Sequence, residues 1–475
     1  MNFRKLTALT ALFFSFSQLN ASYVWTDPQV IDLTTDQVFY DVTSTVNPAT
    51  GEFLGVWVSS NPSPDVPFYS TYPFGGPWIS PTALSGLVQT ASDTDVYASV
   101  DPTSGAFLIT WTDNATNKAH YAIYQGGVVT VSDTVIPGTG KFDVAFGNVF
   151  SSLNTANGVF LVTWRDGVKV LTYATFDGAT WSSVNAIPGM PTPNDNNNTI
   201  FSSVNSNTGT YMVTWRNNAD ALPYYTTFDG MTWGTPAAIP GANPGSGNIF
   251  SSADPTTGNF FVTYAGSIDV GFVTQYAIYN GTTWTAAGSI PGASATQNDV
   301  ISAVKSSSGD VLITWRDSAT NHVIYAIYNQ TNGWIVAPTT LPTMPSALQN
   351  VYCCYDPLSD QFLATWADLA TQEPTYAFLS FVPGPNPPTD FIGFQKTNDF
   401  GLVTELYNTL EWQPSSSADV TGYSIFRDGT LIDTLPSTAT RYEDHNRHPG
   451  STYTYLLNAM SPNGTSSAVS TTVGG

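Results

Sequence analysis

Short runs of apolar residues alternate with turn residues through most of the chain, and runs of this length predict β-strands. The stretch 201–218, FSSVNSNTGTYMVTWRNN, holds two runs rich in β-branched and aromatic residues around an Asn-Thr-Gly turn, the pattern of an antiparallel hairpin. The same hairpin recurs at 150–167 as FSSLNTANGVFLVTWRDG and at 301–318 as ISAVKSSSGDVLITWRDS. No helical periodicity accompanies these runs. The pattern therefore predicts an all-β fold built from a repeated hairpin.

An aromatic residue closes the second run of each hairpin and sets the period of the repeat. Successive copies are 49 to 54 residues apart, at Trp57, Trp111, Trp164, Trp215, Tyr264, Trp315 and Trp366. Each unit has four strand-like runs, and a period near fifty residues is typical of a propeller or a solenoid. Four antiparallel strands form one propeller blade. We therefore expect a seven-bladed β-propeller over residues 22–383.

The seventh unit has no fourth run before the segment VPGPNPP. The segment Tyr23–Leu33, YVWTDPQVIDL, has the pattern of that missing run. We therefore expect the N-terminal segment to pair with the strand around Tyr376–Leu379 and to close the ring. Such a closure leaves no open sheet edge between the first and last blades.

The beginning of the chain and its charge restrict where the protein acts. Residues 1–21 have Arg4 and Lys5, then an apolar run to about Phe16 and a small-residue end, which predicts a secretory signal peptide. The formal charge is −22 with only 10 % charged residues, so neither nucleic acid nor an anionic membrane surface is an expected partner. No run is long enough to span a bilayer. We expect a secreted or surface-bound monomer.

Residues 384–475 differ from the repeat and begin with a stiff Pro-rich linker, PGPNPPTD. Apolar positions then alternate through NTLEWQPS, TGYSIFRDGTLIDTL and STYTYLLNAM, as in a β-sandwich. This segment resembles a fibronectin type III domain, with Trp412 on the second strand and a Tyr-x-Tyr strand at Tyr453 and Tyr455. The resemblance implies a spacer or adhesion module.

The turns FDGATW, FDGMTW and YNGTTW resemble the Asp-box of sialidase-type propellers. Asp177 stands directly beside Gly178, and Asp229 beside Gly230, whereas the Asp-box has one residue between them. In that family the box is a structural turn. We therefore interpret these segments as turns capped by Asp with a packed Trp.

Arginine follows the Trp of three units, at Arg165, Arg216 and Arg316. Three arginines at one face are similar to the carboxylate clamp of a sialidase. A glycosidase also needs positioned carboxylates or an activated tyrosine, and the propeller segment has only two glutamates, Glu52 and Glu373. Because the three positions are equivalent in the repeat, a structural role is the favoured interpretation.

A polar residue opens the first run of every unit. Aligning QVFYD, DVYAS, NVFSS, TIFSS, NIFSS, DVISA and NVYCC gives the ring Gln37, Asp95, Asn148, Thr199, Asn248, Asp299 and Asn350. First strands line the central channel of a propeller, so these side chains are expected to surround its mouth. The ring is a candidate site for a sugar or a cation, and the alternatives are strand capping and bound water. Its carboxylates disfavour an anionic glycan.

The remaining chemistry is sparse. Cys353 and Cys354 stand where other units have Ser-Ser, so they are either two small packed side chains or a vicinal disulfide. His120 and His322 do not align in the repeat and no Cys/His cluster is seen, so no metal and no cofactor is expected. No catalytic or nucleotide-binding motif is found.

These features favour an exported, non-catalytic protein whose propeller binds a glycan or an extracellular protein and is displayed by the C-terminal module. A sialidase-like or other carbohydrate-active enzyme is the first alternative. A purely structural surface protein is the second.

Overall fold

The structure is a computed structural model, and it describes residues 21–31, 38–59, 66–84, 96–113, 116–140, 148–167, 170–190, 200–217, 219–268, 271–296 and 299–474. All regular secondary structure in these residues is β-strand, as the sequence predicts. None of the described residues forms a helix long and apolar enough to cross a membrane. The chain divides into two compact units, Trp25–Ser380 and the remainder, which includes Phe381–Gly475.

In the described residues up to Pro383, twenty-nine strands are found. Their bounds are β1 (Ala21–Trp25), β2 (Gln29–Val30), β3 (Val38–Asn47), β4 (Glu52–Ser59), β5 (Val66–Tyr72), β6 (Thr82–Ala83), β7 (Tyr97–Asp101), β8 (Ala106–Asp113), β9 (Lys118–Gln125), β10 (Val128–Val135), β11 (Phe150–Asn154), β12 (Val159–Arg165), β13 (Leu171–Phe176), β14 (Asn185–Ala186), β15 (Ile200–Asn205), β16 (Thr210–Arg216), β17 (Pro223–Phe228), β18 (Ala237–Ala238), β19 (Gly245–Ala253), β20 (Phe260–Ile268), β21 (Gly271–Tyr279), β22 (Gly288–Ser289), β23 (Ile301–Val304), β24 (Asp310–Arg316), β25 (Val323–Asn329), β26 (Gly333–Thr340), β27 (Tyr352–Asp356), β28 (Gln361–Ala367) and β29 (Pro374–Pro383).

These strands form seven antiparallel sheets within the described residues. Sheets 1 to 6 each contain four strands that pair in chain order, starting with β3–β6 as sheet 1 and ending with β23–β26 as sheet 6. Sheet 7 runs β1-β29-β28-β27, and β2 also pairs with β29. The first strand of each sheet contacts the first strand of the next, and β27 contacts β3.

The N-terminal pairing agrees with the sequence-based expectation. Gln29 lies opposite Tyr376, Val30 lies opposite Thr375, and the Ile31 N–H donates to the Pro374 carbonyl at 2.7 Å. The outer strand of sheet 7 thus comes from the start of the repeat region and its inner strands come from the end.

Burial changes regularly across each sheet. The second strand is buried on both faces, as in β8 and β12, whereas the short fourth strands β6 and β14 are exposed. This gradient arises because apolar side chains of one sheet pack on the next. One cluster joins Leu54 and Val56 to Phe107, and another joins Val42 and Trp57 of sheet 1 to Ala367 of sheet 7. A second strand buried on both faces reads as a continuous apolar run, which is what VFLVTW shows.

Five threonines of the second strands tie neighbouring sheets together. Each donates its buried hydroxyl to a backbone carbonyl at the start of the next sheet, at 2.6 to 2.8 Å: Thr110 to Val149, Thr214 to Ile249, Thr263 to Val300, Thr314 to Val351 and Thr365 to Val42. The last of these contacts joins sheet 7 to sheet 1. Polar groups buried between sheets thereby gain partners and fix how the sheets stack.

The C-terminal unit contains β30 (Thr389–Asp399), β31 (Thr404–Gln413), β32 (Gly422–Arg427), β33 (Thr430–Pro436), β34 (Arg441–Arg447), β35 (Thr452–Ser461), β36 (Gly464–Thr465) and β37 (Val469–Gly474). One sheet has the order β30-β31-β34. The other has the order β33-β32-β35-β36, with β37 also on β35. Leu410 and Trp412 from the first sheet share one buried cluster with Tyr423, Ile425 and Tyr455 from the second.

Candidate functional site

Three of the strand-opening residues form one hydrogen-bonded chain across sheets 5, 6 and 7. The Asn248 N–H donates to Asp299 Oδ1 at 2.9 Å, and Asn248 Nδ2 donates to Asp299 Oδ2 at 2.8 Å. The Asp299 N–H in turn donates to Asn350 Oδ1 at 2.9 Å. The side chain that opens one sheet therefore accepts the backbone N–H that opens the preceding sheet.

The next link in this chain is Asp41, which the sequence alignment missed. The Asn350 N–H donates to Asp41 Oδ1 at 3.0 Å, and Asn350 Nδ2 donates to Asp41 Oδ2 at 2.8 Å. Asp41 precedes Trp57 by sixteen residues, the same spacing as between Asn350 and Trp366. The pairing of β3 with β4 is irregular between Val38 and Val42, so the strand extends beyond the repeat at its start.

The alignment therefore assigned the first-sheet position to Gln37, four residues too early. Gln37 itself lies outside the described residues, as do Asp95 and Thr199. Placement of Asp95 and Thr199 at the mouth stays a prediction.

Two tyrosines connect the fourth described member, Asn148, to the same chain. Asn148 Nδ2 donates to the Tyr97 hydroxyl at 3.2 Å, the Tyr97 and Tyr352 hydroxyls lie 3.2 Å apart, and the Tyr352 hydroxyl donates to Asp41 Oδ2 at 3.3 Å. Both tyrosines sit two residues after a strand-opening position, and this offset is the signal that could have found them.

The same offset supplies an aromatic cluster beside the polar chain. Its rings are Tyr97, Phe150, Phe201, Phe250 and Tyr352, and the centroids of contacting pairs are 3.9 to 6.1 Å apart. Four of the five residues are buried. The space between the first strands is therefore filled by aromatic side chains at this level.

Burial changes the pKa of Asp299, one member of this hydrogen-bonded chain. Asp299 is only 4 % exposed, and its burial raises its pKa to about 6, while hydrogen bonds from Asn248 lower the pKa and the Asp41 charge raises it. Asn350 Nδ2 donates to Asp299 Oδ2 at 3.2 Å as well as to Asp41, so it separates the two carboxylates. Since the described donors and acceptors are largely used by one another, this geometry favours the capping interpretation.

Two of the three arginines, Arg216 and Arg316, have different hydrogen-bond partners. Arg216 Nε donates to the Gly245 carbonyl at 2.6 Å, which joins sheet 4 to sheet 5, and Arg316 donates to the Asn321 side chain within its own sheet. Arg165 is 8 % exposed. Burial lowers the pKa of Arg216 and of Arg316. These contacts agree with structural roles, although the Arg216 carbonyl partner belongs to the next sheet.

The two cysteines belong to a belt of small side chains between first strands. Ser99 and Ser151, Ser152 and Ser202, Ser203 and Ser251, and Ser252 and Ser302 pair through hydroxyls 2.6 to 2.8 Å apart. Cys354 Sγ lies 3.7 Å from Ser44 Oγ, and both thiols are free. The small-side-chain interpretation therefore describes this structure better than a vicinal disulfide.

A cavity of about 350 Å³ lies between sheets 2 and 3, at the end where their hairpin turns meet. Its apolar lining includes Leu108, Phe160 and Phe176, and its polar lining includes Gln125 and Asp177. The sequence did not indicate this cavity because its lining comes from two sheets and from several turns. Its size is in the range of small-molecule sites.

Asp177 belongs to one of the turns that resemble the Asp-box. Its Oδ1 accepts the Thr180 N–H at 2.7 Å and the Ala179 N–H at 2.9 Å, which lowers its pKa to about 2. Trp181 stacks on Phe176 with ring centroids 4.7 Å apart, and Gly178 has φ of +92°, a conformation that favours glycine. The turn is thus capped and packed as the sequence predicts, and it places a charged carboxylate at the cavity.

The sequence matches no protein-family profile, and a comparison with curated proteins finds no match. Among solved structures, the BP39L lectin from Burkholderia pseudomallei is 14 % identical, covers 73 % of this chain and 99 % of its own, and gives a TM-score of 0.59. A six-bladed β-propeller lectin from Aleuria aurantia is 14 % identical over 66 % of this chain and all of its own, with a TM-score of 0.45. A PL25 ulvan lyase is 12 % identical over 73 % and 95 %, with a TM-score of 0.47. The described four-stranded sheets are therefore similar in fold to those of β-propeller lectins.

Proposed function

We propose that this protein binds carbohydrate through a site between neighbouring sheets of its repeat region. The observation that carries the proposal is the cavity between sheets 2 and 3, which combines an apolar lining with the Asp177 carboxylate and the Gln125 amide. A sugar ring presents hydroxyl groups at its edge and C–H groups on its faces, so it needs both kinds of surface. The likeness in fold to the BP39L lectin supports this choice.

The cavity favours a neutral glycan. Asp101 and Asp177 both line it, and Asp177 has a pKa of about 2, so this carboxylate is charged at neutral pH. A carboxylate accepts hydrogen bonds from sugar hydroxyls, whereas it repels the carboxylate of an acidic sugar. The channel mouth is the second candidate, because its carboxylates Asp41 and Asp299 are buried, whereas Asp177 caps a turn at the surface and is exposed.

The repeat is proposed to be a seven-bladed propeller. Seven sheets in the described residues, ordered contacts between their first strands and the contact from β27 to β3 support that count. The hydrogen bond from Thr365 to the Val42 carbonyl is a further contact between the last and first sheets.

The C-terminal unit is proposed to be a fibronectin type III-like module that displays the propeller. Its strand order, with three strands in one sheet and β33-β32-β35 with β37 in the other, supports the assignment, as do the buried Trp412 and Tyr455. Export to the cell surface or the medium, and a role in adhesion, are proposed from the predicted signal peptide in residues 1–21.

A carbohydrate-active enzyme remains the alternative, and one contact disfavours it. The Tyr124 hydroxyl donates to Glu52 Oε1 at 3.1 Å, the arrangement from which an activated tyrosine would be sought. Burial raises the pKa of Tyr124, and the Glu52 charge raises it further. A tyrosine nucleophile needs the opposite shift.

The test is a glycan array with the full chain, run beside a panel of chromogenic glycosides. We expect binding of a neutral glycan without turnover. Asp177→Asn should weaken that binding at least tenfold, whereas Asp229→Asn, which changes the equivalent turn of sheet 4, should leave it unchanged.

Three results would contradict parts of this proposal. The absence of binding to any glycan would refute carbohydrate recognition, and glycoside turnover would favour the enzyme. Loss of binding in Asp299→Asn with normal binding in Asp177→Asn would place the ligand at the channel mouth instead of the cavity.

A further inference from the structure

Three side chains able to bind a metal ion meet at the other end of sheet 2. They are Asp113 at the end of β8, His120 on β9 and Asp133 on β10, and one ligand atom from each lies within 4.8 Å of the other two. The proposed glycan cavity contacts Ala106 at the opposite end of β8 and Val131, two residues before Asp133 on β10. None of the three side chains lines the cavity, so the cluster is a different set of residues from the proposed carbohydrate site.

Strand register explains why these residues meet. His120 lies opposite Trp111 on one side and opposite Val135 on the other. Side chains two residues apart on a strand point to the same face. Asp113, two residues after Trp111, and Asp133, two residues before Val135, therefore lie on the same face of the sheet as His120. Diagonal neighbours of this kind are close enough for polar contact.

The imidazole of His120 has a hydrogen-bond partner at each ring nitrogen. His120 Nδ1 hydrogen bonds to Asp133 Oδ1, while His120 Nε2 lies 2.9 Å from the Thr116 hydroxyl. A histidine that ligates metal through one nitrogen usually has its other nitrogen fixed by a hydrogen bond, which orients the ring. Thr116 supplies that contact here.

The charge of the cluster also points to a cation. Asp113 is 3 % exposed and His120 is 4 % exposed, so two carboxylates surround a buried ring. A divalent ion bound between the two carboxylates would offset their negative charge, and uncompensated buried charge is costly.

The turn that contains Asp113 does not explain the other two residues. The sequence Asp-x-Ala-Thr recurs at Asp317 and Asp368, and in both the carboxylate accepts the N–H of the Thr three residues later, as Asp113 does for Thr116. The positions equivalent to His120 hold Ile324 and Thr375 in those sheets. The turn therefore forms without a histidine, and His120 with Asp133 is an addition specific to sheet 2.

We propose that Asp113, His120 and Asp133 bind one divalent transition-metal ion, with Zn²⁺ as the best match. An imidazole ligand disfavours Mg²⁺ and Ca²⁺, which prefer oxygen. One nitrogen and two carboxylate oxygens fill three positions of a tetrahedral Zn²⁺ site, at roughly 2.0–2.2 Å from the ion. Asp133 is only partly buried, which leaves an approach for the ion and for water in the fourth position.

The test is calorimetric titration of the tag-free full chain with ZnCl₂ at pH 7.5, together with the visible spectrum after titration with CoCl₂. We expect one equivalent of Zn²⁺ to bind, and bound Co²⁺ to show the intense absorption of a four-coordinate site. His120→Gln and Asp133→Asn should each weaken Zn²⁺ binding at least tenfold. Gln is chosen because Gln275 occupies the equivalent position in sheet 5.

Asp317→Asn is the matched control, because Asp317 caps the same turn without a histidine, and it should bind Zn²⁺ as the parent does. Absence of stoichiometric binding by the parent chain would overturn the proposal. Parental affinity in Asp133→Asn, which changes a partly exposed residue and is expected to fold, would also overturn it.

Discussion

Replacing Asp299 with Asn should change how stability depends on pH in a defined direction. Burial raises the pKa of Asp299 to about 6, whereas an aspartate in an unfolded chain titrates near 3.9. The folded protein therefore holds the proton more tightly than the unfolded chain between these two values. The contribution of this group to stability is complete below about pH 4 and is lost as pH rises through about 6.

The size of the effect follows from the gap between the two pKa values. A gap of roughly two pH units corresponds to roughly 3 kcal/mol, at about 1.4 kcal/mol for each unit. Asp299 is 4 % exposed, so little solvent screening reduces this figure. Asn has no proton to exchange, so the free energy of unfolding of the parent minus that of Asp299→Asn should decrease by about 3 kcal/mol between pH 3 and pH 7.

Urea unfolding at a series of pH values, followed by tryptophan fluorescence, measures this difference. Twelve of the thirteen tryptophans precede residue 384, so the signal reports almost only on the repeat region. Comparing the two proteins at each pH cancels the titration of all other carboxylates and the constant cost of the substitution. A difference that is independent of pH, or that grows as pH rises, would refute the buried, proton-binding environment derived for Asp299.

Three further predictions concern other contacts. Backbone and side-chain hydrogen bonds from Thr180 lower the pKa of Asp177 to about 2, so its stabilising effect should be present above about pH 4 and lost as pH falls through 2. The difference in stability between the parent and Asp177→Asn should therefore shrink over that window. A constant difference in acid unfolding curves would contradict the capped turn. Thr365→Val leaves the buried Val42 carbonyl without its 2.7 Å donor and should lower the free energy of unfolding by about 1–2 kcal/mol. The control Thr163→Val changes an equivalent position whose buried hydroxyl has no hydrogen-bond partner, so it should lower the free energy of unfolding less. Equal losses in urea unfolding would show that the hydrogen bond between sheets 7 and 1 contributes nothing. Burial raises the pKa of Cys353 to about 12 and also raises that of Cys354, so a thiol reagent should label neither residue in the folded chain and both after unfolding, and failure to label unfolded, unreduced protein would reveal a disulfide between them.

The repeated elements could be predicted from the sequence because each one has a local signal. The hairpin between β15 and β16 has alternating β-branched residues around an Asn-Thr-Gly turn, and the structure forms it in register from Phe201 opposite Thr214 to Asn205 opposite Thr210. The N-terminal pairing was also predictable, since sheet 7 lacked a strand that residues near Gln29 could supply.

The site was predicted less well because its residues meet across strands and sheets. Asp41 was missed in favour of Gln37 because the irregular start of β3 breaks the spacing from which the alignment was made. His120 was set aside because it does not align in the repeat and no Cys/His cluster is seen, yet β-sheet register brings it to Asp113 and Asp133. The cavity beside Asp177 depends on how two sheets stack, which no single stretch of sequence encodes.

The pairing of Gln29 and Val30 with β29 means that the sequence repeat and the sheet are out of phase by one strand. A unit of about fifty residues that starts at a first strand and ends at a fourth strand could be inserted or deleted without touching the strand that closes sheet 7. Duplication or deletion of a whole unit would therefore leave the pairing of β2 with β29 intact. The offset strand is compatible with the gain or loss of whole repeats, because neither event removes the strand that completes sheet 7.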